Sequence, residues 1–97
     1  MIVVKKEFSK ISIKGHSMYD DFGRDIVCSA VSSIVITTVN GILKIDKNSI
    51  KVNQDDGIEI EVLKKDKVTL SLIDNMLEEL KELESKYPKN IKVKEGV

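Results

Sequence analysis

Two side chains stand apart because the 97-residue chain has one of each: a single histidine, His16, and a single cysteine, Cys28. They flank the segment Gly15-His16-Ser17-Met18-Tyr19-Asp20-Asp21-Phe22-Gly23-Arg24-Asp25-Ile26-Val27-Cys28. Imidazole and thiol are the two groups needed for nucleophilic acyl transfer. Thiolate is the attacking form, and a neighbouring imidazolium or a helix N-terminus favours it over the thiol. The same residues have plainer readings. A free cysteine on an apolar helix is commonly a small buried hydrophobe, and a loop histidine is commonly a surface residue. One Cys and one His cannot supply a Cys/His zinc set, so no metal and no cofactor is expected.

The flanking elements decide whether the two groups can meet. Residues 2–8 alternate, with Ile2, Val4 and Phe8 assigned to one side and Lys5 and Glu7 to the other. Ile11 and Ile13 alternate with Ser12 and Lys14, which gives two adjacent strands joined near Ser9-Lys10. Between Gly15 and Gly23 periodicity is lost, which predicts a loop bracketed by two glycines. From Asp25 to about Leu43, Val27, Ala30, Val31, Ile34, Val35 and Ile42 recur at helical steps. Length favours helix over strand despite the β-branched content. Asp25 is then a natural N-cap, and Cys28 falls in the first turn, where unpartnered N–H groups favour an anion.

Ile50 and Val52, then Asp55-Asp56-Gly57, then Ile58, Ile60 and Val62 read as a hairpin. A second helix is predicted from about Ser71 to Tyr87, with Ser71 and Asp74 as capping pair, a stripe of Ile73, Met76, Leu77, Leu80, Leu83 and Tyr87, and Pro88 ending it. Ile91 and Val93 suit a last strand. The order ββαββαβ predicts an α+β two-layer sandwich, a mixed or antiparallel sheet of about five strands with both helices on one face.

Composition narrows the rest. A chain of 97 residues fits one domain, 1–97, with an aliphatic core, since there are two Phe, two Tyr and no Trp. Sixteen basic and sixteen acidic residues cancel, which argues against nucleic acid as principal partner; Lys89, Lys92 and Lys94 read as a solvated strand. No apolar stretch is expected to approach the ~20 residues of a membrane span, and no signal peptide is recognisable. One cysteine allows no internal disulfide, so a cytoplasmic setting is expected.

The segment Gly15-His16, a glycine-bearing loop, and Gly23-x-Asp25-Ile26-Val27-Cys28-x-Ala30-Val31-Ser32 resembles the signature of the bacterial ribosomal-processing cysteine protease (Prp) family. The resemblance implies Cys28 as nucleophile and His16 as general base, with Gly15, Asp25 and Ser32 as supporting positions. Ser17 and Ser29 stand where that family often has alanine. Asp25 could orient His16 or cap the helix, and Ser32 could donate to the thiolate or back-bond to the Cys28 carbonyl. Ser17, Met18, Tyr19, Phe22 and Gly23 would form a substrate-binding loop that closes as a lid. The implied substrate is the N-terminal extension of a large-subunit ribosomal protein, number twenty-seven in the bacterial series, cut after a short apolar, aromatic-containing segment; the implied assembly is a homodimer. Two other readings stay open: a non-catalytic ribosome-assembly module that binds protein, and a thiol redox sensor.

Overall fold

The computed structural model describes residues 1–15 and 22–96, the side chains of 22–25 excepted. Its elements are β1 (Ile2–Glu7), β2 (Lys10–Lys14), α1 (Phe22–Ile45), β3 (Ile50–Asn53), β4 (Ile58–Val62), α2 (Lys67–Lys86) and β5 (Ile91–Glu95). The strands form one sheet in the order β3-β4-β2-β1-β5, antiparallel except for the parallel β1–β5 pair. The α+β sandwich read from the sequence is therefore present, with a mixed sheet.

Period-two alternation sets one face of that sheet. Val4 lies opposite Ile13 and Val93, Ile11 opposite Ile60, and Ile50 opposite Val62, so the inward residues are aliphatic on one side, except at the end of the β1–β5 pair, where Lys6 lies opposite Glu95. Both helices cover that side. α1 contributes Val27, Val31, Val35, Val39 and Ile42, and α2 contributes Ile73, Met76, Leu77 and Leu80, all within one buried cluster with the sheet.

Several boundaries differ from the sequence reading. Phe8 is not on the core side: it sits in the two-residue β1–β2 turn at φ 55, 77% exposed. The second helix starts four residues before Ser71, at Lys67, with Asp66 rather than Ser71 as N-cap; its carboxylate accepts from the Thr69 N–H at 2.8 Å. Apolar spacing does not reveal this first turn because its buried member is Thr69, a polar residue. α1 begins three residues before Asp25. Its segment Ile26–Ile45 is 20 residues long with a mean hydropathy of 2.0, long and apolar enough to cross a membrane by length and composition. The interspersed Ser, Thr and Asn residues had hidden this run, whose one charged side chain is Lys44. Its valine stripe is nonetheless part of the sandwich core.

Asp46 ties the end of α1 to the sheet. Its carboxylate accepts from the Asn48 N–H at 2.9 Å and pairs with Lys64 Nζ at 2.9 Å, while its carbonyl accepts from the buried Ser49 hydroxyl at 2.7 Å. The Lys64 hydrogen bond, then the Asn48 N–H, holds the Asp46 carboxyl below the ordinary carboxylate range. A depressed folded-state pKa stabilises above the unfolded value of about 3.9 and is lost as pH falls through the folded one. The stability advantage of the wild type over Asp46→Asn should thus be present at pH 7 and vanish in acid unfolding below about pH 4.

Candidate active site

Cys28 is half-buried on the sheet-facing side of α1 and opens on a cleft of about 160 Å³. The cleft is closed by Val31 and Ser32 of α1, the ends of β1 and β2 at Ile2, Ile13 and Gly15, and the β3–β4 turn at Gly57 and Ile58. Three of the residues singled out in the sequence, Cys28, Ser32 and Gly15, are thus brought together from two elements. Cys28 and Ser32 are one helical turn apart and share a face.

Two glycines shape the mouth. Gly15 has φ +84 and Gly57 φ +75, the left-handed region that L side chains avoid. A Cβ on Gly15 would collide with the carbonyl oxygen of Met1, and one on Gly57 with that of Ile13. The end of β2 can approach the start of β1, and the hairpin turn the end of β2, this closely only without side chains there. Gly57→Ala should therefore cost about 1–2 kcal/mol from the left-handed backbone alone, lowering Tm by at least ~4 °C in a thermal melt. It should also slow turnover, since relief of the clash moves one wall of the cleft.

The helix bounds correct two expectations. Cys28 is the seventh residue of α1, not a first-turn residue. At a rise of ~1.5 Å per residue it lies about 9 Å from the helix start, and the unpartnered N–H groups and the dipole act only over the first turn. Donors at the helix start therefore do not serve Cys28. Asp25 lies inside the helix and is not its N-cap, which removes the capping alternative. Phe22 and Gly23 belong to the first turn of α1 instead of a loop. A first turn makes few demands on its N–H groups, so glycine is tolerated there. His16, Ser17, Met18 and Tyr19 lie outside the described residues, as do Asp20 and Asp21, and with them the lid.

Ser32 is exposed at the cleft. Thr38 makes the helical back-bond, donating to the Ile34 carbonyl at 2.8 Å; among the described residues Ser32 makes no such bond to Cys28. Sequence reading missed Gly57 and Ile58 as cleft walls. The signal was the Asp56-Gly57 turn, which strand order places beside the end of β2, with Ile58 opposite Ile13. Among the described residues no group of His, Cys, Asp and Glu is arranged to hold a metal.

Residues 1–92 match the family model described as cysteine protease Prp. The ribosomal processing cysteine protease Prp of Staphylococcus aureus is 27% identical over 88 residues, covering 86% of this chain and 82% of that protein. Two solved structures of an essential S. aureus ribosomal processing protease Prp superpose along the whole fold. One, with a covalently linked product peptide, gives a TM-score of 0.86 at 23% identity, covering 99% of this chain and 100% of that one. The other, with a substrate peptide, gives 0.87 at the same identity and coverage. SMU.848 of Streptococcus mutans follows at 0.75 and 21%, covering 97% and 89%.

Proposed function

The chain belongs to the Prp family of cysteine proteases, and from that premise we propose that it removes the N-terminal extension of large-subunit ribosomal protein number twenty-seven in the bacterial series, with Cys28 as nucleophile and His16 as base. The observation that carries the reading is the cleft. Cys28 opens on it, Gly15 lines it, and His16 follows Gly15 in the chain within the family's signature. The name of the S. aureus relative supports ribosomal processing as the task.

In this reading Cys28 Sγ attacks the scissile carbonyl and His16 delivers the proton to the departing amine. The thioester left on Sγ is then hydrolysed by water, releasing the acid and restoring the thiol. Charge develops on the carbonyl oxygen during both steps. The Ser32 hydroxyl, one turn beyond Cys28 in the same cleft, is the donor we assign to it. The apolar wall formed by Ile2, Ile13, Val31 and Ile58 suits a hydrophobic residue of the peptide. The Gly23–Cys28 spacing puts Asp25 just before the nucleophile, and its role is to orient His16. Asp25→Asn should then cut kcat by about 10²-fold or more while leaving Tm unchanged; unchanged kcat would remove the orienting role.

The test is incubation with a synthetic peptide spanning the ribosomal extension and the first residues beyond it, read by mass spectrometry. One cut, after the apolar aromatic segment, supports the assignment. An intact peptide, or scattered cuts, would contradict it. The proposal extends to a cytoplasmic homodimer. Ile26, Ser29, Ser33, Ile36 and Asn40 form an exposed uncharged stripe on α1, with Ile26 at 43% and Ile36 at 49%, at steps that suit a helix-to-helix contact. Ile36→Glu should halve the mass measured by light scattering.

A further inference from the structure

Among the described residues no layer covers the sheet face turned away from both helices. Its outward residues include Lys5, Lys10, Lys14, Lys51, Lys92 and Lys94, all exposed. Against these six lysines stand three acids, Glu7, Glu59 and Glu61. The overall neutrality of the chain hides this, because acids elsewhere offset it, five of them on α2, Asp74, Glu78, Glu79, Glu82 and Glu84, against three lysines there.

Register concentrates the positive charge further. Val3 lies between Lys14 on β2 and Lys92 on β5, and Lys5 lies beside Lys94. Four ammonium groups therefore project around one small apolar residue, while the glutamates fall on β4 and at the far end of β1. Lys14 has Asp56 at 3.8 Å and Lys5 has Glu7 at 2.7 Å, with all four side chains about half exposed or more; exposed pairs of this kind hold weakly and exchange readily for another anion.

Phe8 is the second, independent observation. It occupies a left-handed turn position at φ 55, where glycine or asparagine would be unstrained, and it is 77% exposed. An aromatic kept in a strained, solvent-facing position indicates a use for its surface. It borders a shallow depression shared with Lys5, Glu7, Ser9, Lys10, Ser12 and Glu59, continuous through Lys5 with the lysine quartet.

We propose that this bare sheet face is a docking surface for single-stranded RNA, with Lys5, Lys14, Lys92 and Lys94 on the phosphates and Phe8 stacking on an unpaired base. Ammonium groups set on adjacent strands and on alternate residues suit a flexible polyanion, and exposed aromatics at a sheet surface are stacking platforms for single strands. A flexible strand can follow the lysines past the glutamates. A duplex or a flat anionic bilayer would meet both signs at once and would leave Phe8 without an open base.

The experiment is fluorescence anisotropy with a fluorescein-labelled 12-nucleotide RNA of mixed sequence. Four phosphate contacts predict a log–log salt slope of about −2.8, so affinity falls roughly fiftyfold between 50 and 200 mM salt. Lys92→Gln with Lys94→Gln should halve that slope, whereas Lys67→Gln with Lys86→Gln, the same charge change on α2, should leave it alone. Phe8→Gly should weaken binding by about fivefold or more yet raise Tm by ~4 °C through relief of the turn, so misfolding cannot explain the loss. The Lys92/Lys94 variant should cleave peptide at the wild-type rate, which keeps this result separate from the proteolytic assignment. Absence of binding at 50 mM salt, equal losses in both lysine pairs, or binding to phosphatidylglycerol vesicles but not to RNA would each overturn the proposal.

Discussion

Replacing Cys28 by alanine should reduce peptide cleavage by at least about 10³-fold while leaving the fold in place. The chemical part follows from uniqueness: Cys28 is the only thiol in the chain, so no other side chain can form the thioester, and removal of a covalent nucleophile ordinarily leaves only residual binding catalysis. The structural part follows from burial. Cys28 is half-buried at the rim of the core, with one edge on the cleft, so losing one sulfur there opens space to solvent and not a sealed cavity. The checks are an initial-rate assay and a thermal melt. Near-wild-type turnover would end the cysteine-protease mechanism for this site, and loss of folding would show that Cys28 is structural.

His16→Ala should lower kcat by about 10²–10⁴-fold, the usual contribution of a positioned acid–base group. It carries a second consequence that a surface histidine would not. If the imidazole pairs with Cys28, alkylation of the thiol by iodoacetamide at pH 6.5 should slow by at least about tenfold in His16→Ala, because the partner that favours the thiolate is gone. Equal alkylation rates in the two proteins would separate His16 from Cys28 whatever the activity. The pair of measurements also divides the competing readings. A protein-binding module with a structural cysteine predicts slow alkylation in both forms, and a redox sensor predicts fast alkylation without cleavage.

Strand and helix identity were legible because one-sided burial imposes a period. Ile2 and Val4, Ile11 and Ile13, Ile58, Ile60 and Val62 all alternate, and all face the helices. The helix starts were not legible, for a physical reason. A first turn has no i→i−4 hydrogen bonds to form and often little to bury, so its residues follow no period. α1 therefore gained Phe22, Gly23 and Arg24, and α2 gained Lys67–Leu70 behind the Asp66 cap. That shift moved Cys28 from the first turn to the second and removed the helix-start amides from its surroundings. Phe8 misled in the opposite direction. Its hydrophobicity placed it in the core, but turn length put it outside.

The site was legible in part. Cys28, Ser32 and Gly15 meet in one cleft, as the family resemblance implied; helical spacing by itself pairs only Cys28 with Ser32. Gly57 and Ile58 did not declare themselves, because a hairpin turn identifies its own conformation and not the element it packs beside. Only the strand order, with β4 next to β2, sets that turn against Cys28.

The most direct measurement of the central claim is intact-mass analysis of the protein quenched in acid during turnover of the ribosomal peptide. Attack by Cys28 predicts a transient species heavier by the N-terminal fragment of the peptide, lost on treatment with hydroxylamine and mapped to Cys28 by digestion. Peptide cleavage with no such adduct on the millisecond-to-second scale, or an adduct on any other residue, would contradict the account.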